Sequence, residues 1–198
     1  MGKGRIIGLS VLAVTILLVL ILGIGVISGY NNLIEADEDV NLKYSEIENN
    51  LKTRHDKLVL MTNAVTGLQE YALEVYNMIT EARAAYANAY ASHDPAEMAQ
   101  ADNLTSIALT NLMAVVEDNP NLEAADIYSQ YIAEVSSMED ALTYARYQYN
   151  TSVADYNLRI RKFPQNIIAK MFGYTLSRTY WELPEGEGEL PEVLLPTL

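Results

Sequence analysis

The first thirty positions and the remainder of the chain follow two different hydrophobic rules. Ile6 to Ile27 contains no charged side chain, and at about 1.5 Å of rise per residue it makes roughly 33 Å of helix, enough to cross the hydrocarbon core of a bilayer. A secretory signal has an apolar region of only about 7–15 residues followed by a small-residue cleavage site. This run is longer and ends GVISGYNN, so an uncleaved transmembrane anchor is expected. Beyond it the apolar positions Leu58, Met61, Val65, Leu68, Ala72, Val75, Ile79, Ala82 and Tyr86 advance by alternating steps of three and four. That spacing draws a stripe down a helix that faces another helix, which a strand cannot produce.

Helix limits follow from the punctuation. In SHDPAEMA, Asp94 suits an N-cap, Pro95 the first helical position and Glu97 the closing residue of a capping box. The helix begun there carries Leu104, Ala108, Leu112 and Val115 and stops before Pro120, which disfavours helical geometry at Asn119. The next starts around Asn121 and shows a long seam: Val135, Met138, Leu142, Ala145, Tyr149, Val153, Tyr156, Ile160 and Phe163. It ends or kinks at Pro164, which then opens a short helix through about Phe172, closed by Gly173.

The segment after the anchor, Tyr30 to about Arg54, aligns Leu33, Val40, Tyr44, Ile47 and Leu51. A turn is expected near His55 and Asp56, with Asp56 capping the second helix. Against it, a seven-residue period runs straight through KTRHDKL, which would merge the first two helices and leave three long ones. The expected fold is all-α: a single N-terminal transmembrane helix followed by an antiparallel up-and-down four-helix bundle. Residues 1–5 form a short basic N-terminus, 6–27 the anchor, 28–181 the helical domain with its short terminal helix, and 182–198 an acidic flexible tail.

Charge narrows the partners. Lys and Arg total 13 against 26 Asp and Glu, and only Lys3 and Arg5 precede the anchor, so the domain beyond it is strongly acidic. Nucleic acid is an unsuitable partner for such a surface. Lys3 and Arg5 before the span, against Lys43 alone after it, place the N-terminus in the cytoplasm of a single-pass cell-membrane protein and the domain outside. The absence of Cys excludes disulfides, a lipidated Cys anchor and thiolate metal sites. The two histidines, His55 and His93, follow Lys52 and Tyr90 at three residues rather than Glu, which argues against a carboxylate-bridged di-metal centre. No nucleophile elbow or phosphate loop occurs. Neither catalysis nor a cofactor or metal is expected, and Glu35, Asp37, Glu38 and Asp39 read as a solvated acidic face. The partners left are the lipid bilayer, other proteins and a second copy of the chain.

Three features carry finer expectations. The pairs Tyr149-Asn150 and Tyr156-Asn157 recur at seven residues and so share a helix face. Either the rings fill the seam while hydroxyls and amides bond across helices, or they line a polar pocket. Arg83 and Arg146 are expected to lay their stems on apolar surface and pair with acids such as Glu81 and Glu139. The stretch from Arg159 to Trp181 holds Arg161, Lys162, Phe163, Lys170, Phe172 and Arg178 without an acidic residue. It forms a membrane-facing collar, or a plug in which Phe163, Phe172 and Trp181 fold back over the bundle end while the cations pair with the acidic surface, or both.

The blocks YNNLI, LKTRHD, TEARAAY, LMAVVEDNPNLEA and ARYQYNTSVADYNLRIRKFPQNIIAKMFGY resemble the LemA family of small, membrane-anchored prokaryotic helical proteins, over about Tyr30 to Tyr174. The matching positions are Arg54, Asp56, Arg83, Glu117, Pro120, Arg146, Tyr149, Asn150, Tyr156, Asn157, Phe163, Pro164, Ala169, Phe172 and Gly173. One departure concerns the turn after Asp56, where the family typically has Leu-Ile-Pro-Asn and this chain has Lys57, Leu58, Val59 and Leu60. The resemblance implies a four-helix bundle on one membrane helix and no established activity.

Overall fold

The structure is a computed structural model that describes residues 3–65, 72–118 and 125–182. Leu68, Asn119, Pro120, the expected helix start at Asn121 and the tail from residue 183 lie outside that set. Five helices make up the order: α1 (Lys3–Val65), α2 (Ala72–Ser92), α3 (Pro95–Asp118), α4 (Ala125–Arg161) and α5 (Gln165–Phe172). No strand occurs among the described residues. The chain divides into two compact units, one of residues 1–41 with 152–178, the other of residues 42–151 with 179–198.

In the first unit, α1 begins with the apolar run. Its large apolar side chains from Ile7 to Ile27, Val26 apart, are more than half exposed, and the helix is long and apolar enough to cross a membrane by length and composition. Burial starts at Gly29 and continues at Leu33, Ala36 and Val40, a stripe with helical spacing. Val153, Tyr156 and Ile160 of α4 and Ile168 and Ala169 of α5 are buried in the same unit. Gly29 has a specific reason to lack a side chain, since a Cβ there would run into Ile168. The C-terminus of α5 is closed by Gly173 at φ 76°, after which Tyr174 N–H returns 2.9 Å to the Ala169 carbonyl. This left-handed stop is the one the glycine predicts.

In the second unit, Leu58 of α1, Val75, Ile79 and Ala82 of α2, and Ala108, Leu109 and Leu112 of α3 form one apolar cluster. The start of α3 follows the predicted chemistry, with one change of partner. Asp94 Oδ1 accepts the Ala96 N–H at 2.7 Å, but Glu97 does not close the box on Asp94. Ser92 Oγ donates to Glu97 at 2.6 Å and accepts the Asp94 N–H at 3.3 Å, so the hydroxyl relays the contact. On α3 the buried stripe is Met98, Ala101, Asp102, Thr105, Ala108, Leu109 and Leu112, and the expected Leu104 is only half-buried.

The turn expected at His55 and Asp56 does not exist: α1 is helical through both. The reason is the stripe itself, for Leu51, Arg54 and Leu58 are all buried on one helix face and leave no gap in which a break would be favoured. Asp56 caps nothing and is mostly exposed beside His55. The alternative in which the first two helices merge into one fails as well. The rings of His55 and Tyr86 stack at 4.7 Å, whereas a straight helix would separate them by about 46 Å. On α4 the predicted seam is buried from Leu142 through Ile160, but Phe163 is 80% exposed because the helix ends at Arg161 and the ring no longer shares its face.

Candidate functional site

The most buried charges lie in the second unit and were not foreseen as a group. Asp102 on α3, 2% exposed, accepts from Arg54 Nη1 at 2.7 Å and from the Arg146 guanidinium of α4. Arg54 Nη2 also reaches Ser106 Oγ at 2.9 Å and Glu139 at 2.9 Å, and Glu139 approaches Arg146 at 3.6 Å. Two guanidiniums and two carboxylates therefore neutralise one another across three helices. Burial pushes the Asp102 carboxyl above its ordinary range, against the opposing pull of Arg146 and Arg54. The expected Arg146–Glu139 contact is present, but the principal partner is Asp102. Arg83 is exposed and belongs to a different place.

That place is an open depression of about 720 Å³ lined by Lys52, His55, Asp56, Thr80, Arg83, Tyr86 and Tyr90 among others. The Nε2 of His55 and the hydroxyl of Tyr86 are buried without a hydrogen-bond partner among the described residues. Burial, then the nearby Tyr90, Asp56 and Glu48 charges, pushes the Tyr86 phenol up to about 12. Burial and Glu48 likewise raise Tyr44, whose ring lies 5.8 Å from that of Tyr149. An unfolded phenol titrates near 10, so above that pH the unfolded chain holds fewer protons than the folded one. The stability the Tyr86 phenol contributes is intact below about pH 10 and is lost as pH rises through about 12. Tyrosinate absorbance at about pH 11 should therefore be lower for the folded protein than for the same protein in denaturant, and Tyr86→Phe should shrink the difference.

The two Tyr-Asn pairs find a partner the seam argument did not supply. They bind the backbone of the extended chain after α5 rather than another helix. In the second unit Asn150 Nδ2 donates to the Trp181 carbonyl at 3.0 Å and its Oδ1 accepts the Trp181 N–H at 2.8 Å, while the Tyr149 hydroxyl donates to the Thr179 carbonyl at 2.9 Å. In the first unit Asn157 does the same for Arg178, at 3.0 and 2.7 Å, and the Tyr156 hydroxyl donates to the Thr175 carbonyl at 2.8 Å. Each asparagine amide thus presents to an extended residue the donor and acceptor that a neighbouring strand would. A seven-residue interval of helix rises about 10.5 Å and three extended residues about 10 Å, which is why Asn150 and Asn157 can serve Trp181 and Arg178. The amides are consumed by the chain itself, so they do not line an open pocket.

The basic aromatic stretch separates into inward and outward members. Trp181 is 5% exposed, and Arg178 reaches Asp37 with Nε at 3.2 Å while its guanidinium lies 5.7 Å from the Tyr156 ring. Both were expected in a membrane-facing collar and both turn inward. Arg159 pairs with Asp155 on its own helix at 2.7 Å. Arg161, Lys162, Phe163, Pro164, Lys170 and Phe172 are exposed, as is Glu117 on α3. Of the three rings expected to fold back, Trp181 is buried while Phe163 and Phe172 are exposed.

A profile of the LemA family matches residues 43–194. The chain belongs to the LemA family. The named Protein LemA of Metamycoplasma hominis is 26% identical over 142 residues, covering 71% of this chain and 63% of that protein. Magnetosome protein MamQ of Magnetospirillum gryphiswaldense and Magnetosome protein MamQ 2 of Paramagnetospirillum magneticum are each 35% identical over 80 residues, 40% of this chain. The chain thus spans less than a third of these magnetosome proteins, 29% of each. The LemA match includes Arg54, Asp56, Arg83, Arg146 and the two Tyr-Asn pairs. Asp102 stands in no motif noted in the sequence, yet it lies in phase with Met98, Thr105 and Leu109, where an acid on an apolar stripe signals a buried partner.

Proposed function

We propose that this LemA-family chain is a non-catalytic scaffold, anchored in the cell membrane by the apolar part of α1, with its N-terminus in the cytoplasm and its helical domain outside. The rest of α1 with α2, α3 and α4 forms an antiparallel four-helix bundle whose acidic surface engages protein partners and a second copy of the chain. Contacts between α1 and α4 support the antiparallel arrangement: Tyr44 meets Tyr149, Arg54 meets Glu139 and Lys57 meets Glu134 at 2.6 Å, one series rising as the other falls. The observation that carries the scaffold reading is the internal consumption of the motif residues. Arg54 and Arg146 through their terminal nitrogens, and Tyr149, Asn150, Tyr156 and Asn157 through their hydroxyls and amides, hold the chain to itself.

The test pairs proximity labelling in native membranes with protease digestion of intact cells. A recurrent set of neighbouring proteins and cleavage of the domain from outside are the expected results. Protection from external protease would reverse the orientation, and labelling no richer than that of an unrelated single-span protein would remove the scaffold.

A second reading, a sensory or ligand-binding bundle, draws on the depression beside His55 and Arg83. Its cationic rim of Lys52 and Arg83 suits a small anion. Thermal-shift screening of carboxylates and phosphates against the protein and its Arg83→Ala form tests it, since a ligand of that site stabilises only the former.

A further inference from the structure

The face of α5 turned away from the domain has no role in the scaffold. Ile168 and Ala169 are buried at 4% and 0%, whereas Phe163, Ile167 and Met171, four residues apart in turn, are 80%, 55% and 62% exposed. Arg161, Lys162 and Lys170 border them and are exposed, and none of the three has an acidic partner within ion-pair distance among the described residues. Large apolar side chains in one patch, rimmed by a single sign of charge, mark a contact surface.

The position of α5 along α1 identifies the contact. Ile168 packs where Gly29 lacks a side chain, and the Phe172 ring lies 4.5 Å and the Tyr174 ring 6.2 Å from that of Tyr30. Gly29 is two residues beyond Ile27, the last member of the exposed apolar run, or about 3 Å along the helix axis. Whatever immerses Ile7 to Ile27 therefore ends beside α5. Tyrosine, tryptophan and amphipathic basic helices collect at the boundary between hydrocarbon and headgroups.

We propose that α5, together with Phe163, is an interfacial helix that lies on anionic phospholipid, with Phe163, Ile167 and Met171 in the acyl boundary and Arg161, Lys162 and Lys170 among the phosphates. This rests on the anchored reading of α1. Each cation held near an anionic surface favours the contact about fivefold, with screening within a Debye length of about 8 Å. The lipid face orients a domain that α1 already tethers.

The absence of cysteine makes the test direct. Full-length protein carrying Leu18→Cys, Ile167→Cys, Met171→Cys or Tyr76→Cys is labelled with an environment-sensitive fluorophore. Each form is reconstituted into phosphatidylcholine vesicles with or without phosphatidylglycerol, and quenching by nitroxide-labelled lipid is read. The label at 18 should be quenched by deep nitroxides and the labels at 167 and 171 by shallow ones, at least twofold more than the label at 76. In phosphatidylglycerol vesicles, adding Arg161→Glu, Lys162→Glu and Lys170→Glu should cut shallow quenching at least twofold, with little change in pure phosphatidylcholine. No quenching at 18 would defeat the anchor itself. Quenching at 18 with none at 167 and 171 would leave the anchor and overturn the interfacial helix. Quenching between labelled copies in place of lipid quenching would assign the face to a second copy and overturn it too. Charge reversal without effect would overturn the anionic-lipid assignment. Helical content by circular dichroism confirms that each exposed substitution leaves the fold intact.

Discussion

Asp102→Asn is expected to lower the folding stability of the protein by about 3–5 kcal/mol, the range found when one member of a buried ion pair is removed. The substitution keeps the shape of the side chain and one acceptor oxygen, so it isolates the charge. Arg54 and Arg146 are then left one neutral oxygen in place of a shared carboxylate; Arg54, 3% exposed, keeps Ser106 and the partly exposed Glu139, and Arg146 keeps a 3.6 Å approach to Glu139. Denaturant unfolding of the full chain in detergent, followed by circular dichroism, reads the loss. A change under about 1 kcal/mol would place the pair among solvent-screened surface bridges and contradict the geometry. Replacing the cluster wholesale, with Asp102→Leu, Arg54→Met and Arg146→Met, should recover part of the stability, because the desolvation of all three charges is removed together.

The second large effect concerns the extended segment after α5. Asn157→Ala removes the partners of both the N–H and the carbonyl of Arg178, and leaving such groups unsatisfied costs about 1–3 kcal/mol. Hydrogen exchange at the Arg178 amide should accelerate by about 5- to 150-fold, the kinetic equivalent of that energy. Asn150→Ala should do the same at Trp181. Tyr156→Phe, which loses one bond to the Thr175 carbonyl and keeps the ring, should have the smaller consequence of about 0.5–1.5 kcal/mol. Unchanged protection at Arg178 in the Asn157 variant would mean that the segment is held by its side chains instead.

The sequence disclosed what periodicity can encode. The seam of α4 from Leu142 to Ile160 and the glycine stop of α5 were legible because each is a local rule applied to consecutive residues. The break near Asp56 was misplaced for a related reason: a good capping residue stands on a stripe that never loses phase, and the stripe decides. The destination of the Tyr-Asn pairs was hidden, since GYTLSRTYW has no amphipathic pattern and offers them main-chain atoms that every residue possesses. Asp102 escaped notice because a lone acid in QADNLTS looks like a solvated position unless its phase is counted from Met98.

The amide clamps also bear on how this part of the protein can drift. Because Asn150 and Asn157 grip main-chain atoms, residue identity between Arg178 and Trp181 is largely free, while their count is not. Thr179 and Tyr180 should tolerate exchange for many other residues, yet one inserted glycine there would throw Trp181 out of step with Asn150. Among descendants of such a chain, gaps in this stretch should be rarer than substitutions.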